Sequence, residues 1–394
     1  MVYQHRRQPL CVPDFSLAKE QRLRDRDPRA SSSRTIRLID AKAPPGSMKL
    51  LPAALGLVLL LLLVLNPNGV EARPAPAVGH QKKASSATFF VFGDDFADNG
   101  NLPLTDPVTE MSRQWAYPYG SNYVDADGFP RPNTPSGRFS NYRIQSDFIA
   151  TMLGLEEAPP AHARTAEKTC DPSGMTFATG GAGVLDSTLH EVSILAKQVD
   201  TFKKMVKDGT ITENQLSRSV VLVAFFGNDY AGIGVIGLSS PNNINAYIGK
   251  VTKEIATNVD QLLKLGVTKV LVNNLHPIGC MPSHTRTNNY TTCDIFENLD
   301  ATIHNDNLKK VMTSKNVYIV DVYTAFTNIV DHVAGKGSEL SKQFKRKLSP
   351  CCESLDSKGY CGQQDESSSK LLYTVCDKSN KFFYWDDMHP THAG

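Results

Sequence analysis

The sequence predicts an α/β domain built on a mostly parallel sheet. Three observations carry that expectation: short apolar runs recur along the chain, segments with helical spacing separate them, and the runs end abruptly in Gly, Asp and Asn. Strands are expected at residues 88–92, 220–226, 269–273 and 317–322. The clearest helix spans 244–265, where Ile244, Tyr247, Ile248, Val251, Ile255, Val259, Leu262 and Leu263 share one face and Gly266 stops it. A second is expected over 143–153, ending at Gly154. Sheets of this type carry their chemistry in the loops after the carboxyl ends of the strands, here residues 93–101 and 227–230. Residues 102–142 and 155–175 are proline-rich and irregular, as expected of loops that shape a cleft.

The chain has 394 residues, 41% hydrophobic and 21% charged, enough for one large core. Its net charge of +2 is unevenly placed: residues 1–47 hold ten Lys/Arg against five Asp/Glu, which leaves about −3 for the remainder. The body is mildly acidic, and no nucleic-acid partner is expected. From Met48, one lysine precedes a mostly apolar run that ends in Val70-Glu71-Ala72. That order predicts a signal peptide over 48–72, cleaved after Ala72, and a secreted protein without a stable membrane anchor. A signal-anchor with a basic tail is the competing reading, but the run is short for a bilayer span of about 20 residues. Met48 is then the start and residues 1–47 a gene-model extension. Residues 73–87 read as a flexible leader, and the working domain is expected over 88–394.

Cysteine use fits export. Besides Cys11 there are Cys170, Cys280, Cys293, Cys351, Cys352, Cys361 and Cys376, four of them within the last hundred residues and Cys293 just before. Cys280 and Cys293 close a short loop, whereas the adjacent Cys351 and Cys352 are poor partners for each other. An odd count leaves one thiol over, and the remaining connectivity stays open. Zinc is the competing use of cysteine, but no paired C-x-x-C with histidine occurs, so no metal is expected. The sequon Asn289-Tyr290-Thr291 marks a glycosylation site if exposed.

Six motifs follow one another in order: GDDFADNGN (93–101), GRFSNYRIQSDFIA (137–150), MTFATGGAG (175–183), FFGNDY (225–230), LHPIGCMP (275–282) and YWDDMHPTHAG (384–394). Together they resemble the plant secreted GDSL esterase/lipase family, a branch of the SGNH hydrolases, over residues 88–394. The resemblance implies a flavodoxin-like three-layer α/β/α sandwich and cofactor-free hydrolysis of carboxylic esters of lipids, wall polymers or small metabolites. It implies His389 as general base, Asp386 as the group that orients it, and position 95 as the serine nucleophile. Gly181 and Asn228 would join the N–H of residue 95 in the oxyanion hole. The matching residues suit these roles. A carboxylate three residues before an imidazole can hold the ring and its cation, and a side-chain amide can donate to a developing oxyanion.

The serine is missing, because position 95 is Asp95. A carboxylate attached to an acyl carbon leaves far more readily than an alkoxide, so an adduct on Asp95 falls back to reactants. The expectation is a site occupied by its own side chain, with impaired serine-type esterase activity. The alternative is an inactive homologue that binds an ester, glycan or protein partner through the retained cleft. Two lesser departures accompany it. Tyr142 stands where the family has glycine, and the final helix that the family packs on its sheet is missing after Gly394, which reads as truncation.

Overall fold

The structure, a computed structural model, describes residues 87–123, 136–166, 168–185, 192–231, 240–330 and 339–394. The expected extension, signal peptide and nearly all of the leader lie outside the described residues.

Five strands form one parallel sheet: β1 (Thr88–Gly93), β2 (Gly174–Thr176), β3 (Ser219–Ala224), β4 (Lys269–Asn273) and β5 (Val317–Val320). Their spatial order is β2-β1-β3-β4-β5, and every neighbouring pair is parallel. This is the doubly wound order of flavodoxin-like sheets, whose topological switch point lies between β1 and β3. Four of the strands coincide with apolar runs legible in the sequence. The last differs at its end: β5 stops at Val320, and Val322 already begins a helix. The short β2 falls where the sequence reads as loop, at the start of MTFATGGAG.

Seven α-helices are described: α1 (Gln145–Met152), α2 (Leu195–Lys207), α3 (Glu213–Ser217), α4 (Pro241–Lys264), α5 (Pro282–Thr285), α6 (Ile295–Val311) and α7 (Val322–Val330). The α4 helix starts three residues ahead of its expected boundary. Ser240 caps it by accepting from the Asn243 N–H, and Pro241 supplies the preset φ of a first helical residue.

Side-chain alternation along β1 separates the two faces of the sheet. Phe90 and Phe92 point into a core shared with Leu195, Val199 and Phe202 of α2, Ile248 and Val251 of α4, and Leu308 of α6. Phe89 and Val91 point the other way, toward Ala150 of α1 and Val322 of α7. The result is three layers, with both faces of β1 fully buried. On the α1 side the covering is thinner: Met152 is 84% exposed and Phe148 40%.

The last fifty residues form a small appendage with β6 (Arg346–Pro350), β7 (Cys352–Ser354), β8 (Tyr373–Val375) and β9 (Phe382–Tyr384). β6 pairs with β9 in parallel, and β7 with β8 antiparallel. Three disulfides join Cys280 to Cys293, Cys351 to Cys376, and Cys352 to Cys361. The adjacent cysteines thus take separate partners, and among the described residues the thiol left over is Cys170. Among the described residues no helix is long and apolar enough to cross a membrane.

Candidate active site

Asp95 follows β1 directly, where Gly93 and Asp94 turn the chain out of the sheet. Two buried carboxylates fix this turn against its neighbours. Asp94 accepts the Phe96 N–H (3.1 Å) and reaches across to the Phe226 N–H (2.7 Å) after β3. Asp98 accepts four backbone N–H groups, from Gly100 (2.8 Å), Asn101 (2.7 Å), Leu102 (3.0 Å) and Gly180 (2.8 Å). Burial raises the Asp98 carboxyl to about 6, against the opposing pull of those donors. The two ties bring the Gly180-Gly181 turn and the Asn228 loop to the end of β1. Gly181 has φ +73°, a left-handed conformation that a Cβ would strain, and this aims its N–H at residue 95.

The candidate residues meet here. Asp95 Oδ1 accepts the Gly181 N–H (3.2 Å) and the Asn228 Nδ2 amide (2.9 Å). Asp95 Oδ2 lies 2.6 Å from His389 Nε2. His389 Nδ1 sits 2.9 Å from both oxygens of Asp386. Asp386 Oδ1 also accepts the backbone N–H groups of Met388 (3.0 Å) and His389 (2.7 Å), so the Asp-x-x-His spacing closes a tight turn. The imidazole lies between Phe139, stacked at 5.1 Å, and Phe96 at 4.8 Å.

Burial alone would favour a neutral His389. The charge and hydrogen bond of Asp386, followed by those of Asp95, reverse this and push the ring up to about 10. Burial would likewise raise Asp95, but His389 first and the Asn228 amide second hold its carboxyl well below the ordinary range. Asp386 is depressed by His389 and Arg113 in the same sense, against its own burial. At neutral pH the centre is therefore a carboxylate–imidazolium–carboxylate array, with both ring N–H groups donating. Asp94 behaves oppositely: burial, and then the Asp95 charge beside it, raise its carboxyl well above its usual value.

Two partners of this array carry no sequence motif. The Tyr119 hydroxyl donates to Asp386 Oδ2 (2.7 Å) and accepts from Arg113 Nε (2.9 Å). Arg113 Nη2 lies 3.7 Å from Asp386 Oδ2. All three side chains are buried. They come from the stretch that reads as loop in the sequence, where Arg113 sits in a 3₁₀ turn (Glu110–Trp115). The GRFSN motif serves the same loop from the other side: Ser140 donates to the Pro390 carbonyl (3.0 Å), and Asn141 accepts the His392 N–H (2.7 Å). Tyr142, in the position noted for its missing glycine, packs its ring against Tyr123 and His392.

Beside Asp95 and His389 opens a cavity of about 590 Å3. Phe96, Phe139, Ile144, Phe148, Phe226 and Phe326 are among its mainly apolar walls. Its size and lining are those of a small-molecule site. Among the described residues no cluster of three or more His, Cys, Asp or Glu is arranged to hold a metal ion.

A family profile described as GDSL-like Lipase/Acylhydrolase matches residues 89–394. The chain belongs to that family. Its relatives include GDSL esterase/lipase At5g03610 of Arabidopsis thaliana, 34% identical over 83% of this chain and 88% of the relative. GDSL esterase/lipase At3g09930 of the same plant is 32% identical over 81% and 88%, and At5g03600 is 33% identical over 77% and 89%. Membership in the GDSL family implies hydrolysis of esters as the reaction for which this architecture is built. It also accords with the parallel three-layer fold and the disulfides.

Proposed function

We propose that this GDSL-family protein has lost serine-type ester hydrolysis and keeps its cleft to bind an apolar ligand. One observation carries the reading: the Asp95 carboxylate occupies the contact of the base and two of the three donors that acyl transfer needs. Its Oδ2 takes the His389 hydrogen bond that a serine hydroxyl would use, and its Oδ1 takes the Gly181 and Asn228 donors of the oxyanion hole. His389, pushed up to about 10, is already protonated near neutrality and has no lone pair with which to accept a proton. Asp95, depressed by the same contact, is a weak base and a poor activator of water.

Attack by Asp95 itself fails on leaving-group grounds. Its parent acid has a pKa of about 3.9, against about 15.7 for water as a guide to alkoxides, so a tetrahedral adduct expels the aspartate. Asp386 and His389 retain the roles of orienting group and base only when a hydroxyl replaces the carboxylate at 95.

The same reading places the protein outside the reducing cytosol. Residues 48–72 act as a signal removed on export, and 88–394 form the mature domain. The three disulfides fit an oxidising compartment. Asn289, exposed on the loop closed by Cys280 and Cys293, carries a glycan.

Hydrolysis of p-nitrophenyl butyrate by wild type and by Asp95→Ser tests the reading. Activity is expected in the serine variant alone, together with labelling by a fluorophosphonate that His389→Ala abolishes. Wild-type turnover equal to that of the serine variant would overturn it.

A further inference from the structure

We propose that Asp95 turns the cleft into a receptor for apolar primary alcohols and excludes the corresponding carboxylic acids. The inference rests on the proposed loss of hydrolysis and specifies which ligand remains.

Consider the hydrogen-bonding capacity left at the head of the cleft. An ionised carboxylate offers about four acceptor positions and no donor. Asp95 Oδ1 fills two of them, with the Gly181 N–H and the Asn228 amide. Oδ2 fills one with His389 Nε2, so one acceptor position on Oδ2 stays open. Asp95 and His389 both line the apolar cavity, so that position belongs to whatever enters it. A ligand head that donates one hydrogen bond satisfies it.

Apart from the N–H of residue 95, the donors at the head of the cleft are spent. The Gly181 N–H, the Asn228 amide and His389 Nε2–H all point at Asp95, and the second Asn228 contact goes to the Ala182 carbonyl (3.0 Å). His389 Nδ1 and the Tyr119 hydroxyl are committed to Asp386. A carboxylate head would meet the Asp95 oxygens, a like-charge contact in a largely desolvated place that one backbone N–H does not offset. An ester carbonyl would find one donor where the hole has three.

Charge selects between the two kinds of donor head. Asp95 and Asp386 face His389 and the buried Arg113, which stands 3.7 Å from Asp386 and is shared with Asp387 at 3.8 Å. An alkylammonium would lose its hydration in an apolar cleft whose carboxylate already holds an imidazolium, whereas a hydroxyl gives up less. Besides His389, the basic side chain among the described cleft walls is Arg143, whose guanidinium sits over the Tyr142 ring (5.4 Å) and donates to the Glu156 carbonyl (3.4 Å). The hydrocarbon tail would lie against Phe96, Phe226, Ile149 and Phe326 and cover the exposed Met152.

The test is calorimetric titration of the full mature protein at pH 7 with octan-1-ol, sodium octanoate and octylammonium chloride, all below micellar concentration. Wild type should bind octanol at least tenfold more tightly than either ionised ligand. Asp95→Ser frees the oxyanion donors, and its octanoate affinity should rise at least tenfold. Asp95→Asn, nearly the same shape without the charge, should also narrow the wild-type preference. Octanoate binding wild type as well as octanol, or octanoate affinity unmoved by Asp95→Ser, overturns the proposal, the latter by assigning the acid to Arg143. So does a tenfold preference for octylammonium, or no saturable octanol binding. None of these ligands can be hydrolysed, so wild-type esterase turnover would sink the proposed function while leaving the head-group measurement to stand or fall separately.

Discussion

Replacing Asp95 by Asn tests the charge array most directly. In wild type, His389 is flanked by carboxylate oxygens 2.6 Å from Nε2 and 2.9 Å from Nδ1, and its ring is pushed up to about 10. An opposite charge at such a distance shifts a pKa by about 1–3 units. Asp95→Asn keeps the shape, removes one of the two charges and should bring His389 down to about 7–9. The assay is a pH titration of the ring nitrogens by ¹⁵N NMR, with His389→Gln assigning the resonance. Stability supplies a second readout with a defined sign. The folded value lies above the unfolded value of 6.5, so the His389 contribution is whole below that pH and lost as pH rises toward 10. The total loss is on the order of 5 kcal/mol at most, with a slope near 1.4 kcal/mol per pH unit. Urea unfolding between pH 6.5 and 10 should show the wild-type decline continuing to higher pH than that of the variant. A wild-type His389 that titrates near 6.5, or an Asp95→Asn variant with unchanged titration, would refute the argument that the ring is clamped between two anions.

Further expectations follow from other parts of the molecule. With Asp95→Ser as the active background, adding Asn228→Ala should lower kcat by about 10²–10³, because one oxyanion donor disappears; steady-state kinetics on the p-nitrophenyl ester reads it. Phe202→Ala removes a fully buried ring that meets Phe90 and Phe92 edge-on at 5.0 and 5.5 Å. It should cost about 3–5 kcal/mol in denaturant unfolding. Replacing both Cys280 and Cys293 by serine opens a loop with a sequence separation of 13 and should cost about 3 kcal/mol in the same measurement. In acid, Asp95 and Asp386, both depressed, contribute stability above their unfolded pKa near 3.8 and lose it as pH falls. Wild type should therefore destabilise more steeply than Asp95→Asn below about pH 4.

The parts of the fold legible in the sequence are those with an unbroken apolar run or a clean helical period. β1 is apolar at Phe89, Phe90, Val91 and Phe92 because both of its faces are covered, and such a run is visible without any alignment. β2 escaped notice because three residues beginning with glycine carry no period. The α6 helix was blurred for a different reason: Ile295, Phe296 and Leu299 are exposed, so apolar residues lie on more than one side of it. At the site, Asp386, His389, Asn228 and Gly181 were legible through the family resemblance that six motifs in one order carry, and not through any one spacing. Tyr119 and Arg113 were not. Tyr119 lies 267 residues before Asp386, and a lone tyrosine and arginine in a proline-rich stretch carry no pattern until the fold brings them to the carboxylate. The loop closed by Cys280 and Cys293 was legible, but pairing of the last four cysteines was hidden, since adjacency rules out one partner without choosing another.

The cystine arrangement bears on how the histidine is held. Cys351 and Cys352 hydrogen-bond through their N–H groups to the carbonyls of Tyr384 (3.1 Å) and Trp385 (2.7 Å), immediately upstream of Asp386. From there one sulfur bridge departs toward Cys361 and the other toward Cys376, so the pair grips the chain like a vice with two independent screws. The imidazole is thus delivered from outside the sheet by a covalently braced arm, and its alignment with the loop after β1 depends on redox state. A reductant that never touches the cleft would still slacken the geometry at its centre.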